Sequence, residues 1–136
     1  MEFQWFNPVV GTPIVSIAEY GIAFNSAAAI ELGNPERIKL VLNREHKVIG
    51  VKPMSNVNKV TERETFIFAE RERNGYVRIN NKDFVRLISL YCPEFKFDKT
   101  IRFSAKWDDT EQILIVDLNN VIDGQFDKIQ EPGEGG

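Results

Sequence analysis

The sequence predicts an α+β fold: a small, bent antiparallel β-sheet or barrel, built from two pseudo-symmetric strand–helix–hairpin units with two short helices. Three observations lead there. Apolar and polar residues alternate over short runs, as at 38–43 and 101–106, which is the period of a half-buried strand. Two other runs are helical in composition or spacing and stop at a Gly or a Pro. The order strand, Asn, helix, hairpin then occurs twice along the chain.

In chain order, the first dozen residues hold Phe3, Trp5, Phe6, Val9 and Val10 among Pro8, Gly11 and Pro13. They read as an irregular or edge-strand arm. Ile14-Val15-Ser16-Ile17 and Ile22-Ala23-Phe24 alternate as strand, with Tyr20-Gly21 as a bulge or turn. Asn25 suits a helix N-cap, because its side-chain oxygen accepts a free backbone N–H. The Ala-rich run 26–32 follows, closed by Gly33 and barred from continuing by Pro35. Strands at 38–42 and 48–51, around the turn Arg44-Glu45-His46-Lys47, make a hairpin ended by Pro53. Residues 54–63 read as a connector, and 65–69 as an aromatic strand. Glu70-Arg71-Glu72-Arg73 alternates in sign before the turn signal Asn74-Gly75.

The pattern then recurs. Tyr76-Val77-Arg78-Ile79 is a strand, Asn80 takes the place of Asn25, and 82–91 is a helix with Phe84, Leu87, Ile88 and Tyr91 on one face. Pro93 stops it. Residues 101–106 and 113–116 form a second hairpin around Trp107-Asp108-Asp109-Thr110. At an offset of 55 residues Ile22 meets Val77 and Phe24 meets Ile79; past the helices the offset grows, so the second unit is the longer. One such unit is too small to bury its own apolar face, whereas two can share a core. The expected organisation is one domain over 1–126, with unit one at about 14–53, a connector and strand at 54–74, and unit two at about 75–118. A disordered tail is expected over 127–136, where the chain ends Glu131-Pro132-Gly133-Glu134-Gly135-Gly136.

The 136 residues suit one ordinary domain, and 43% hydrophobic against 27% charged is enough apolar volume for a core. The net charge is −3, so a nucleic-acid site has to be a local patch rather than the whole surface. The single cysteine, Cys92, excludes an internal disulfide. The N-terminal residues lack the basic and apolar regions of a secretory signal, and no apolar run is long enough to span a bilayer. The expectation is a cytoplasmic protein with no membrane partner.

Tyr20-Gly21-Ile22-Ala23-Phe24-Asn25, then Ala28-Ala29-Ile30-Glu31-Leu32-Gly33, then a hairpin ending Val48-Ile49-Gly50-Val51-Lys52-Pro53, resembles the AbrB-type swapped-hairpin unit. The two-copy form resembles the MraZ arrangement. The resemblance covers about 14–53 well and 76–118 more loosely. It implies a bacterial transition-state regulator or antitoxin that binds DNA as a dimer or larger ring. Three features depart from the family: Ser16-Ile17-Ala18-Glu19 is not basic, Asn25-Ser26 replaces a Pro, and Asp83-Phe84-Val85-Arg86 is one residue short of the Asp-x-x-x-Arg motif.

No catalytic constellation stands out. His46, the only histidine, falls in a hairpin turn, and Cys92 follows an apolar helix, where a thiol is usually structural. One His and one Cys cannot make a His/Cys metal cage, and no Gly-rich phosphate loop is present, so no cofactor is expected. Glu94-Phe95-Lys96 matches the Glu-x-Lys of some nucleases but lacks the accompanying Pro-Asp. The remaining lead is basic: Arg71, Arg73, Arg78, Lys82 and Arg86, with Arg37 and Lys39, are the candidate DNA contacts. The leading function is therefore a non-enzymatic DNA-binding regulator of the AbrB-like type, acting on duplex DNA. The rival is a protein-interaction module, phage- or mobile-element-encoded, with Trp5 and Phe6 as anchors. Under either reading the edges of a bent sheet favour a homo-oligomer.

Overall fold

A computed structural model describes residues 11–55 and 64–122. The alternation seen in the sequence becomes strands β1 (Ile14–Ala18) and β2 (Gly21–Phe24), helix α1 (Ser26–Leu32), and the hairpin β3 (Arg37–Asn43) and β4 (Val48–Met54). Then come β5 (Phe66–Ile67), a 3₁₀ turn (Ala69–Arg71), β6 (Glu72–Arg73) and β7 (Tyr76–Asn80). Helix α2 (Lys82–Tyr91) and the long hairpin β8 (Ile101–Asp108) and β9 (Ile113–Val121) complete the described chain.

Among the described residues all nine strands join one antiparallel sheet in the order β5-β3-β4-β9-β8-β1-β2-β7-β6. Its two edge strands are consecutive in sequence. Ile67 and Glu72 are five residues apart, at most about 18 Å of extended chain. A flat sheet of this width would hold its edges about 38 Å apart. The sheet therefore curls into a half-barrel, and the residues linking β5 to β6 cross between its two edges.

Inside the curl lie the alternate residues Val15, Ile17, Ile22, Phe24, Ile38, Ile49, Val51, Val77, Ile79, Phe103, Leu114 and Val116, all buried. Helix α1 reaches this core with Ala28, Ala29 and Leu32; its small side chains let its backbone approach the strands around it. Asn25 caps it as expected: Oδ1 accepts the N–H groups of Ala28 (2.9 Å) and Ile14 (3.0 Å), and Nδ2 donates to the Thr12 carbonyl (2.8 Å). Gly33 closes it at φ 79°, in the left-handed conformation.

Three expectations change. The cap of α2 is Asn81, whose Oδ1 accepts the Phe84 N–H (3.0 Å), and not Asn80. Asn80 is still strand, paired with Gly21, so its side chain projects from the sheet. The buried stripe of α2 is Val85 and Ile88, followed by Cys92, while Leu87 and Tyr91 are exposed and Phe84 is half-buried. Two overlapping apolar stripes satisfy the helical period here, and docking selects one. The aromatic run 65–69 is strand only at Phe66–Ile67, because Phe68 leaves the strand conformation and turns inward. There it is fully buried and meets Phe24 edge-on at 5.2 Å.

Gly21 is the tightest point of the sheet. It stands at φ 149°, where β2 passes β7, and a Cβ there would lie 2.0 Å from the Ile79 carbonyl oxygen. Trp5, Phe6 and the tail 127–136 lie outside the described residues. Among the described residues no helix is long and apolar enough to cross a membrane.

Candidate nucleic-acid interface

The residues that alternate with the core point out of the curl. On β1 and β2 they are Ile14, Ser16, Ala18, Gly21 and Ala23, and all but Ile14 are small. On β7 they are Tyr76, Arg78 and Asn80; on the part of β8 paired with β1 they are Arg102 and Ser104. The registers place one row across four strands: Arg102 beside Ser16, Ser16 beside Ala23, Ala23 beside Arg78. Three strand spacings put the two arginine Cα atoms about 14 Å apart. Beyond Arg78, Arg73 of β6 stands directly opposite Tyr76.

This outward face carries three arginines and no carboxylate among the described residues, on a chain whose net charge is −3. Its margins are acidic: Glu19 lies in the β1–β2 turn, and Glu72 turns its carboxylate to the Gly75 N–H. Arg78 is held in a fixed orientation. Its guanidinium lies 3.7 Å from the centroid of the Tyr20 ring, and its Nε donates to Asn80 Oδ1 at 3.4 Å. Burial raises the pKa of the Tyr20 hydroxyl, partly offset by the Arg78 charge, so the phenol stays neutral in ordinary buffers. Arg73 donates to the carbonyls of Glu70 (3.1 Å) and Glu72 (2.7 Å), which positions it and leaves other N–H groups of its fork for a ligand. Tyr76 is 58% exposed.

Of the seven basic residues picked from the sequence, Arg73 and Arg78 come together on this face, and Arg71 sits on the 3₁₀ turn that leads into it. Lys82 opens α2 and Arg86 lies one turn further on, where with Lys96, Glu19 and Asp98 they rim an open hollow of about 520 Å³. Arg86 pairs with Asp83 (3.3 Å). Arg37 and Lys39 are elsewhere, on the outward side of β3. Arg37 donates to the Thr65 hydroxyl (2.7 Å) and carbonyl (3.2 Å), and Lys39 faces Glu64 (3.5 Å). Sequence reasoning passed over Arg102, Tyr76, Tyr20 and the small floor of Ser16 and Ala23. Arg102 alternates with Ile101 and Phe103, so its outward direction was readable; its row-mates were not, because they come from other strands.

Of the remaining chemistry-bearing residues, Cys92, Glu94 and Lys47 lie close enough to act on one another's charges. His46 is exposed in the β3–β4 turn, its N–H donating to Asn43 Oδ1. Cys92 is buried, and burial pushes its thiol pKa up, away from thiolate chemistry. Glu94 pairs with Lys47, and that hydrogen bond holds its carboxyl below the usual range. No group of three His, Cys, Asp or Glu among the described residues is arranged to hold a metal ion. Compared with known protein families, with curated proteins and with solved structures, the chain matches none.

Proposed function

We propose that this protein is a non-enzymatic DNA-binding regulator of the AbrB-like type, contacting DNA through the outward face of β6, β7, β2, β1 and β8. The observation that carries the proposal is the outward row from β8 to β7, in which the described residues are Arg102, Ser16, Ala23 and Arg78, with Arg73 beyond it, on a chain of net charge −3. Phosphates attract arginine wherever it is not neutralised, and a single carboxylate in the row would cancel much of that attraction. The contacts are Arg73, Arg78 and Arg102, with Arg71 and Lys82 at the margin.

The strand order supports the swapped-hairpin class. The two units interleave: β1, which leads unit one, pairs with the hairpin strand β8 of unit two. β5, in the segment leading unit two, pairs with β3 of unit one. The like strands pair with each other, β2 with β7 and β4 with β9, with Ile22 opposite Ile79 and Ile49 opposite Val116. Such pairings are what two copies of one unit about a pseudo-two-fold axis would make, and they support that reading. A titration of the full chain against duplex and single-stranded DNA across a salt series tests the function. Affinity falling steeply as salt rises is expected. Absence of binding to either form, or binding indifferent to salt, would exclude it.

A second reading, a protein-interaction module, is favoured by α2, where Leu87, Leu90 and Tyr91 face solvent and Leu90 is 70% exposed. Replacing Leu90 with Glu while following both DNA affinity and protein association separates the two: the DNA reading expects DNA affinity to be unchanged, and the interaction reading expects protein association to be lost.

A further inference from the structure

We propose that the arginine face takes single-stranded nucleic acid, stacking one base on Tyr76 and its neighbour on the guanidinium of Arg78. The inference rests on the reading of that face as a nucleic-acid site and adds which form of nucleic acid it holds. Tyr76 and Arg78 are two residues apart on β7 and project from the same side of the sheet. Each offers a flat π surface. Tyr76 is 58% exposed. The Arg78 guanidinium is laid over the Tyr20 ring, and Arg78 is itself exposed, so the plane turned away from Tyr20 is open to a second ring. Aromatic rings and guanidinium planes are the two side-chain surfaces on which unpaired bases stack.

Spacing decides between the forms. Positions two apart on a strand are about 6.7 Å from each other. Neighbouring bases in a duplex strand are about 3.4 Å apart. Adjacent bases reach both platforms only after they have separated from one another, which a single strand does freely and a duplex does not. The relief of the face agrees. Reading a duplex major groove takes a protruding helix or two-stranded ribbon. Beside β7 the surface is floored instead by Ala23, Ser16 and Gly21, over which an extended backbone can lie. Arg73, opposite Tyr76, and Arg78 itself place positive charge along that path.

Fluorescence anisotropy on the full chain at low salt tests this, with labelled oligo-dT and oligo-rU of about 15 nucleotides and a mixed-sequence duplex of the same length. At least one single strand should bind about tenfold tighter than the duplex. Tyr76→Ala should weaken that binding about tenfold and Tyr76→Phe preserve it, with duplex affinity following neither. A preference between oligo-dT and oligo-rU supports the site and names its sugar. A duplex bound as tightly as both single strands, or single-strand affinity unmoved by Tyr76→Ala in a variant with an unchanged thermal melt, overturns the inference and leaves the nucleic-acid reading standing. Binding of none of the three probes overturns both.

Discussion

On β8, β1, β2 and β7 the outward side chains include Arg102, Ser16, Ala23, Tyr76 and a buried Gly21; on β3, β4 and β9 they include Arg37, Lys39, Val41, Ile115 and Asp117 around Gly50. The same curled sheet makes both surfaces, and the same alternation fills the core behind each. What differs is what the missing side chain leaves room for. A Cβ on Gly50 would touch only side-chain ends, Val41 Cγ2 at 2.8 Å and Ile113 Cδ1 at 3.3 Å, because these two fold over the gap and cover it. A Cβ on Gly21 would strike the backbone of β7. One glycine is filled by apolar neighbours; the other brings two strands together and leaves the small floor beside them open. Lys39 and Lys52, directly opposed on the first surface, are tempered by Glu64 against Lys39. On the second, Arg73 donates to the carbonyls of Glu70 and Glu72, and Arg78 to Asn80 Oδ1.

The largest effect that tests this contrast is on stability. Gly21→Ala should cost about 3 kcal/mol or more, since neither backbone can give way, whereas Gly50→Ala should cost about 1 kcal/mol as Val41 and Ile113 rotate aside. Urea unfolding of both variants measures the difference; equal losses would mean that the two glycines do the same job. Next come the caps of the two units. Asn25 bonds Ile14, Ala28 and Thr12, so Asn25→Ala should lose about 2 kcal/mol. Asn81 bonds Phe84 alone and should lose about 1 kcal/mol when replaced by Ala. Thermal melts that rank them the other way would show that the strand-to-helix tie of unit one carries little.

A charge placed on each surface sharpens the comparison further. Ala23→Glu sets a carboxylate between Ser16 and Arg78 and should weaken DNA binding about tenfold and flatten its salt dependence. Ile115→Glu, on the opposite surface, should leave binding as it is; equal effects from the two would remove the arginine face from consideration. The smallest effect is at the exposed pair Lys47–Glu94. The Lys47 hydrogen bond lowers the Glu94 pKa, and the Glu94 hydrogen bond raises that of Lys47. A lowered carboxylate pKa contributes stability above the unfolded value, about 4.3, and loses it as pH falls through the folded value. A raised lysine pKa contributes below about 10.4 and loses it as pH rises further. Glu94→Gln should therefore lower the melting temperature only slightly, at neutral pH and not in strong acid. A deficit that persists in strong acid would have another origin.

Strands, turns and helix boundaries were legible in the sequence because they depend on neighbours in the chain. Asn25 and Gly33 bracket α1 by satisfying backbone groups within a few residues, and 82–91 is helical where its spacing says so. The core was legible for the same reason, since a period of two sends Ile22, Phe24, Val77 and Ile79 to one side whatever they pack against. Tertiary structure alone decided which of two apolar stripes α2 buries, and that Phe68 leaves its strand to meet Phe24. It alone also placed Arg102, Ser16, Ala23 and Arg78 in one row while sending Arg37 and Lys39 elsewhere. Those outcomes depend on register between strands far apart in sequence, and register is set by the closure of the whole sheet rather than by any one segment.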